Sequence, residues 1–115
     1  MKTSKKHFEI FKSECLKWQE KLKLDDWHIF FQHTKLDGVD ANTLRSSEYN
    51  ATLSLDTTII DVDYNMPIDD YIKQLAKHEM IHVMLGYFAL QAVRPERIRD
   101  EAEEALVRKL EKIIK

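Results

Sequence analysis

One five-residue stretch constrains this chain more than any other. His78-Glu79-Met80-Ile81-His82 sits in a run, Ile72 to Leu90, that is apolar on nearly every side after the first histidine. A helix that is hydrophobic all round is buried in a core. Four residues advance a helix by about 400°, so the two imidazoles leave one face, one turn apart. Glu79 lies about 100° round from His78, near the same space without being forced into it. Two histidines and a glutamate in a core helix are costly unless something satisfies them, and a metal ion does. The spacing matches H-E-x-x-H, in which the histidines hold zinc and the glutamate is a general base.

A catalytic zinc takes three protein ligands, so a third is expected elsewhere. A histidine six residues after His82 would need to occupy position 88, and that residue is Phe88. The last predicted helix instead opens with Asp100, Glu101, Glu103 and Glu104. If the chain reverses near Val93, His82 lies about 11 residues before the turn and Glu103 about 10 after it, so the two are level. Ile98, Ala102, Leu106, Leu110 and Ile113 define the expected buried face, and Glu103 falls within that arc while Glu104 points about 100° further out. An acid on the apolar side needs a partner, which selects Glu103 as third ligand, with Glu104 as the competing choice. Gly86, one turn after His82, is expected to let the final helix approach closely.

The rest of the chain supplies a frame for that helix. Phe8, Phe11, Cys15, Trp18 and Leu22 recur at helical spacing, predicting an amphipathic helix over residues 4–24. Cys15 lies within that stripe and reads as a small buried hydrophobe. Residues 27–33, Trp27-His28-Ile29-Phe30-Phe31-Gln32-His33, read as a strand, with His28 and His33 on opposite faces. Asp37-Gly38 is a hairpin-turn signal, and residues 34–46 otherwise read as polar loop. Tyr49 to Leu55 alternates as a half-buried strand, and residues 57–62 read as a third strand or an extended connection. Asp61-x-Asp63-x-Asn65 lacks the glycine and the closing glutamate of a calcium loop. Pro67 opens the motif helix, with Asp69 and Asp70 complementing its dipole, and that helix is expected to reach about Ala92. After a break at Arg94-Pro95-Glu96 a final helix runs to Lys115. The order of elements predicts one α+β domain over residues 1–115: an N-terminal helix, a sheet of two or three strands, and the buried motif helix paired with the C-terminal one as a hairpin.

Charge and cysteine content narrow the setting. A net charge of −2 offers no basic field for nucleic acid or an anionic membrane. No apolar run reaches the length of a membrane span, and residues 1–24 contain no continuous hydrophobic signal region. One cysteine builds no disulfide framework and suits a reducing cytoplasm.

These residues together resemble a known family. Leu24-Asp25-Asp26-Trp27-His28-Ile29, Ala51-Thr52-Leu53-Ser54-Leu55, His78-Glu79-Met80-Ile81-His82 and Glu103-Glu104-Ala105-Leu106-Val107 look like the corresponding stretches of minimal gluzincin-type zincin metallopeptidases, particularly the short ones of phages and prophages. The resemblance implies zinc, a peptide or protein substrate, and a small sheet whose edge strand lines a cleft beside the zinc helix. Tyr49–Leu55 is the expected edge strand, able to pair with an extended peptide. The expected chemistry is amide hydrolysis, with zinc on His78, His82 and Glu103, Glu79 as base, and an oxyanion donor among Tyr49, Tyr71 and Tyr87. Two alternatives stand beside it. A zinc-stabilised protein-binding module needs no base at Glu79. A zinc-dependent RNA endonuclease is suggested by Leu85-Gly86-Tyr87 after the histidines, but wants a histidine where Phe88 stands.

Overall fold

In the computed structural model an N-terminal helix is held at its start by its own first turn. Ser4 caps α1, Lys5–Lys21, and forms a capping box: its hydroxyl accepts from the His7 amide at 3.3 Å while its own amide donates to His7 Nδ1 at 3.0 Å. The description covers residues 1–46, 48–60, 65–86, 104, 107, 108, 110–112 and 114. The helix ends three residues earlier than its apolar spacing predicts. Lys23 takes a left-handed φ of 56°, and the Leu24 amide turns back to the Gln19 carbonyl at 2.9 Å. Phe11, Cys15 and Trp18 form the buried stripe. Burial pushes the Cys15 thiol well above its ordinary pKa, with the charges of Glu79 and Glu14 adding to the shift.

The sheet has three strands: β1, His28–His33; β2, Ala41–Arg45; and β3, Asn50–Leu55, in the order β1-β3-β2. Strand β1 runs parallel to β3, with His28 opposite Asn50, and β2 runs antiparallel to it, with Ala41 opposite Leu55. Tyr49–Leu55 is therefore not an edge strand. It pairs on both sides because residues 41–45, expected as polar loop, form the second partner. Gly38, at φ 76°, does turn the chain, but it joins β1 to β2, which do not pair with each other. Alternation holds in β3, where Ala51, Leu53 and Leu55 face the core. Phe30 and Leu44, both opposite Thr52, lie on the other face and stay exposed.

Two buried carboxylates fasten the loops below the sheet. Asp56 accepts from the Leu36 amide at 3.0 Å and the Thr58 amide at 2.8 Å. Asp40 accepts from the Ile60 amide at 2.7 Å and the Tyr71 hydroxyl at 2.6 Å. The extended residues 57–59 pair with the chain start through an isolated bridge between Lys2 and Thr58. His28 is exposed, whereas His33 stacks on Phe8 at 5.1 Å. The Thr3 hydroxyl donates to the Asp56 carbonyl, so His33 Nε2–H donates to the Thr3 oxygen at 2.7 Å.

Helix α2, Ile68–Met84, has Pro67 at its cap and Asp69 and Asp70 in its first turn. Its Ile72, Ala76, Met80 and Val83 enter the core that α1 and the sheet share. The expected continuation to Ala92 and the break at Arg94-Pro95-Glu96 fall largely or wholly outside the described residues. Further on, Glu104, Val107, Arg108 and residues 110–112 are helical. Val107 is fully buried against Ile81 and Leu85, forming a second, smaller core between this segment and α2. That burial sets a different helical phase from the expected one, which omitted Val107. The described residues form a small α+β domain with three helices and a three-stranded sheet. Among the described residues no helix is long and apolar enough to cross a membrane.

Candidate metal centre

His78 and His82 leave the same face of α2, with ring centroids 5.1 Å apart and planes at 63°. Between them lies the Glu104 carboxylate. Its Oε1 is 2.9 Å from His78 Nε2 and its Oε2 2.8 Å from His82 Nε2. The phase set by Val107 explains this, because Glu104 lies three residues earlier on the face turned towards α2. Glu103, expected as third ligand, lies outside the described residues. The described acid at the site is its neighbour.

The donor atoms of His78, His82 and Glu104 all fall within 4.8 Å of one another. Two nitrogens and one oxygen are the donors of a three-ligand zinc site. At Zn–N and Zn–O bonds near 2.1 Å, tetrahedral ligands stand about 3.4 Å apart. The present 2.8 and 2.9 Å contacts, made by the two different oxygens of Glu104, would open by about half an ångström, and the wider donor separations, all within 4.8 Å, would close towards the same spacing. The residues present thus fit the group.

Three supporting residues escape the sequence reading. The other nitrogen of His78, Nδ1, meets the Glu111 carboxylate, the arrangement in which an outer carboxylate fixes a ligand imidazole. Glu111 follows Glu104 by two helical turns, so its spacing could have revealed it. Thr43 on β2 donates its hydroxyl to Glu79 Oε1 at 2.8 Å. Arg45, two residues on and therefore on the same strand face, donates to the His82 carbonyl at 2.7 Å. Strand β2 thus supplies polar groups to α2, which is also why it lacks an apolar alternation.

Glu79 is 6% exposed. Burial raises its pKa from the ordinary value; the Thr43 hydrogen bond and the charges of His82 and His78 oppose the rise, and Glu104 adds to it. A carboxylate so placed holds a proton more readily than one in water. The site opens on a cleft of about 320 Å³, lined in part by Asp40, Tyr71, His78, Glu79 and Glu104. Of the three tyrosines considered as oxyanion donors, Tyr71 lines this cleft, Tyr49 packs edge-on to Trp27 at 5.4 Å, and Tyr87 lies outside the described residues. Gly86 allows a close approach, and among the described residues the groups that make it are Trp27 and Arg45. A Cβ there would lie 3.0 Å from two atoms of the Trp27 ring and 3.1 Å from Arg45 Cδ.

No family model, curated protein or solved structure matches the chain.

Proposed function

We propose that this chain is a zinc-dependent metallopeptidase of the zincin kind. The observation that carries the reading is the convergence of His78, His82 and Glu104 within 4.8 Å beside the buried carboxyl of Glu79. His78, His82 and Glu104 would hold the ion, whose borderline-soft character suits two imidazoles and a carboxylate. When bound, zinc polarises a scissile carbonyl and makes water acidic enough to ionise near neutrality. Glu79 takes the proton from the attacking water and delivers it to the departing amide nitrogen. Thr43 holds the glutamate in place through Oε1, leaving its second oxygen for the proton. Glu111 keeps His78 turned so that Nε2 faces the ion.

Because Tyr49–Leu55 is central, the strand available to an extended substrate is β2, whose far edge ends the sheet on the side of α2. The sole cysteine, Cys15, is a buried thiol, which suits work in a reducing cytoplasm.

Glu79→Gln tests the reading. Purified wild type is expected to take up about one zinc and to hydrolyse a casein or mixed-peptide substrate. The variant should keep the zinc and the fold but lose hydrolysis by at least about a hundredfold, the scale of lost general-base catalysis. Zinc bound without any hydrolysis by wild type would instead favour the non-catalytic binding module. No zinc uptake at all would end both readings.

A further inference from the structure

A second hollow, of about 660 Å³, adjoins the candidate metal centre. The two share Gln74, Arg108 and Glu111 in their walls, so they lie side by side, and the larger one is a groove of its own. Its charges do not cancel. Glu14 is paired with Lys17 at 3.4 Å and Glu111 with His78. Lys77 donates to the carbonyls of Glu111 and Ile114 and lies over the Trp18 ring at 5.3 Å. Among the described residues, Lys73, Arg108 and Lys112 have no such partner, and only Asp70 of the lining acids is also unpaired. Three cations without a partner therefore stand against two acids, Asp70 and Glu111, the latter bonded to an imidazole rather than to a lysine or arginine, in a groove beside the candidate metal ligands.

We propose that this groove binds a carboxylate of the substrate, so that the enzyme prefers peptides carrying an acidic group a short distance from the cleaved bond. This deepens the peptidase reading and rests on it. A single carboxylate suits the groove better than a dianionic phosphate, because Asp70 and the Glu111 carboxyl also line it and repel added negative charge. Arg108 offers a planar fork matched to a carboxylate. Spacing gives the position. Lys73 precedes His78 by five residues, about 7 Å along the helix, which is about two residues of extended peptide. Arg108 lies one turn beyond Glu104, on the second wall of the same groove.

The carboxylate could belong to an acidic side chain or to the peptide's own C-terminus, and binding to the inactive Glu79→Gln protein separates these without any need for hydrolysis. Three N-acetylated seven-residue alanine–serine peptides serve as probes: one with a central glutamate and an amidated end, one with glutamine in its place, and the glutamine peptide with a free C-terminal carboxylate. By titration calorimetry at low salt, one of the two acidic probes is expected to bind at least about fivefold more tightly than the neutral one. Which of them does so identifies the source. The advantage should disappear in Lys73→Gln/Arg108→Gln and, independently, in Lys112→Gln/Arg108→Gln, and should shrink at high ionic strength. Equal binding of all three probes, no measurable binding, or an advantage that survives both double variants overturns the proposal. Failure of wild type to hydrolyse any peptide would count against the peptidase reading alone.

Discussion

Replacing Glu104 by alanine gives the sharpest test of the proposed metal site. Its carboxylate reaches both imidazoles, at 2.9 and 2.8 Å, and no other described acid does. Structural zinc sites are worth about 10–16 kcal/mol over four ligands, so one ligand carries about 3 kcal/mol. That is about a hundredfold or more in zinc affinity. Glu111 touches only the far nitrogen of His78. Its replacement by alanine should cost about tenfold, the lower end for outer-carboxylate losses, since His78 remains held within its helix. Glu103→Ala should change affinity less than about twofold if the phase set by Val107 extends one residue further back. Competition against a chromophoric zinc chelator at fixed pH measures all three variants. The thermal transition of each metal-free protein separates lost ligation from lost fold. Glu104→Gln adds a control that keeps size and one oxygen but removes the charge. A Glu104→Ala protein that binds zinc as wild type does, beside a Glu103→Ala protein that has lost it, would refute the geometry described for this helix.

Three further outcomes follow from other parts of the fold. Burial works against the charge of Asp56, but the amides of Thr58 and Leu36, helped by Lys35 and Thr57, outweigh it and lower its pKa. Its stabilisation is thus complete above the unfolded value of about 3.9 and lost as pH falls through the depressed folded value. Asp56→Asn should cost about 1–2 kcal/mol at pH 7 in urea titration and flatten the loss of stability below about pH 4. Gly86→Ala sets a Cβ 3.0 Å from the buried Trp27 ring, and the overpacking, at about 2 kcal/mol, should exceed the roughly 1 kcal/mol gain in helix propensity; a variant as stable as wild type by thermal melting would contradict that contact. Lys23→Gly relieves a left-handed residue and should raise stability by about 0.5–1 kcal/mol in the same measurement.

The elements whose side chains serve only the core were legible. Phe11, Cys15 and Trp18 announce α1, and the alternation through Ala51, Leu53 and Leu55 announces β3. Strand β2 was not, because its inward residues Thr43 and Arg45 are chosen to bond α2 rather than to fill apolar space. Missing it misplaced β3 at the sheet edge. Of the site, His78, Glu79 and His82 were readable because their spacing lies within one helix. Which acid meets the histidines depended on the rotation of a distant helix, where Val107 is fully buried. With Val107 buried, Glu104 turns to the histidines.

The sheet order also dictates when the site can come together. Strands β2 and β3 are close in the chain and can zip locally, whereas β1 must wait for a partner about 22 residues away, with His28 opposite Asn50. Helices α1 and α2, which pack extensively, are more remote still. As the chain emerges from a ribosome, β1 therefore remains an unpaired strand with Phe30 outward until β3 arrives. Glu104 and Glu111 follow α2 in the chain and join the site after it. On the proposed reading, zinc capture should mark the end of folding rather than its start, and a metal-sensitive probe followed during refolding should lag the burial of Trp18 and Trp27.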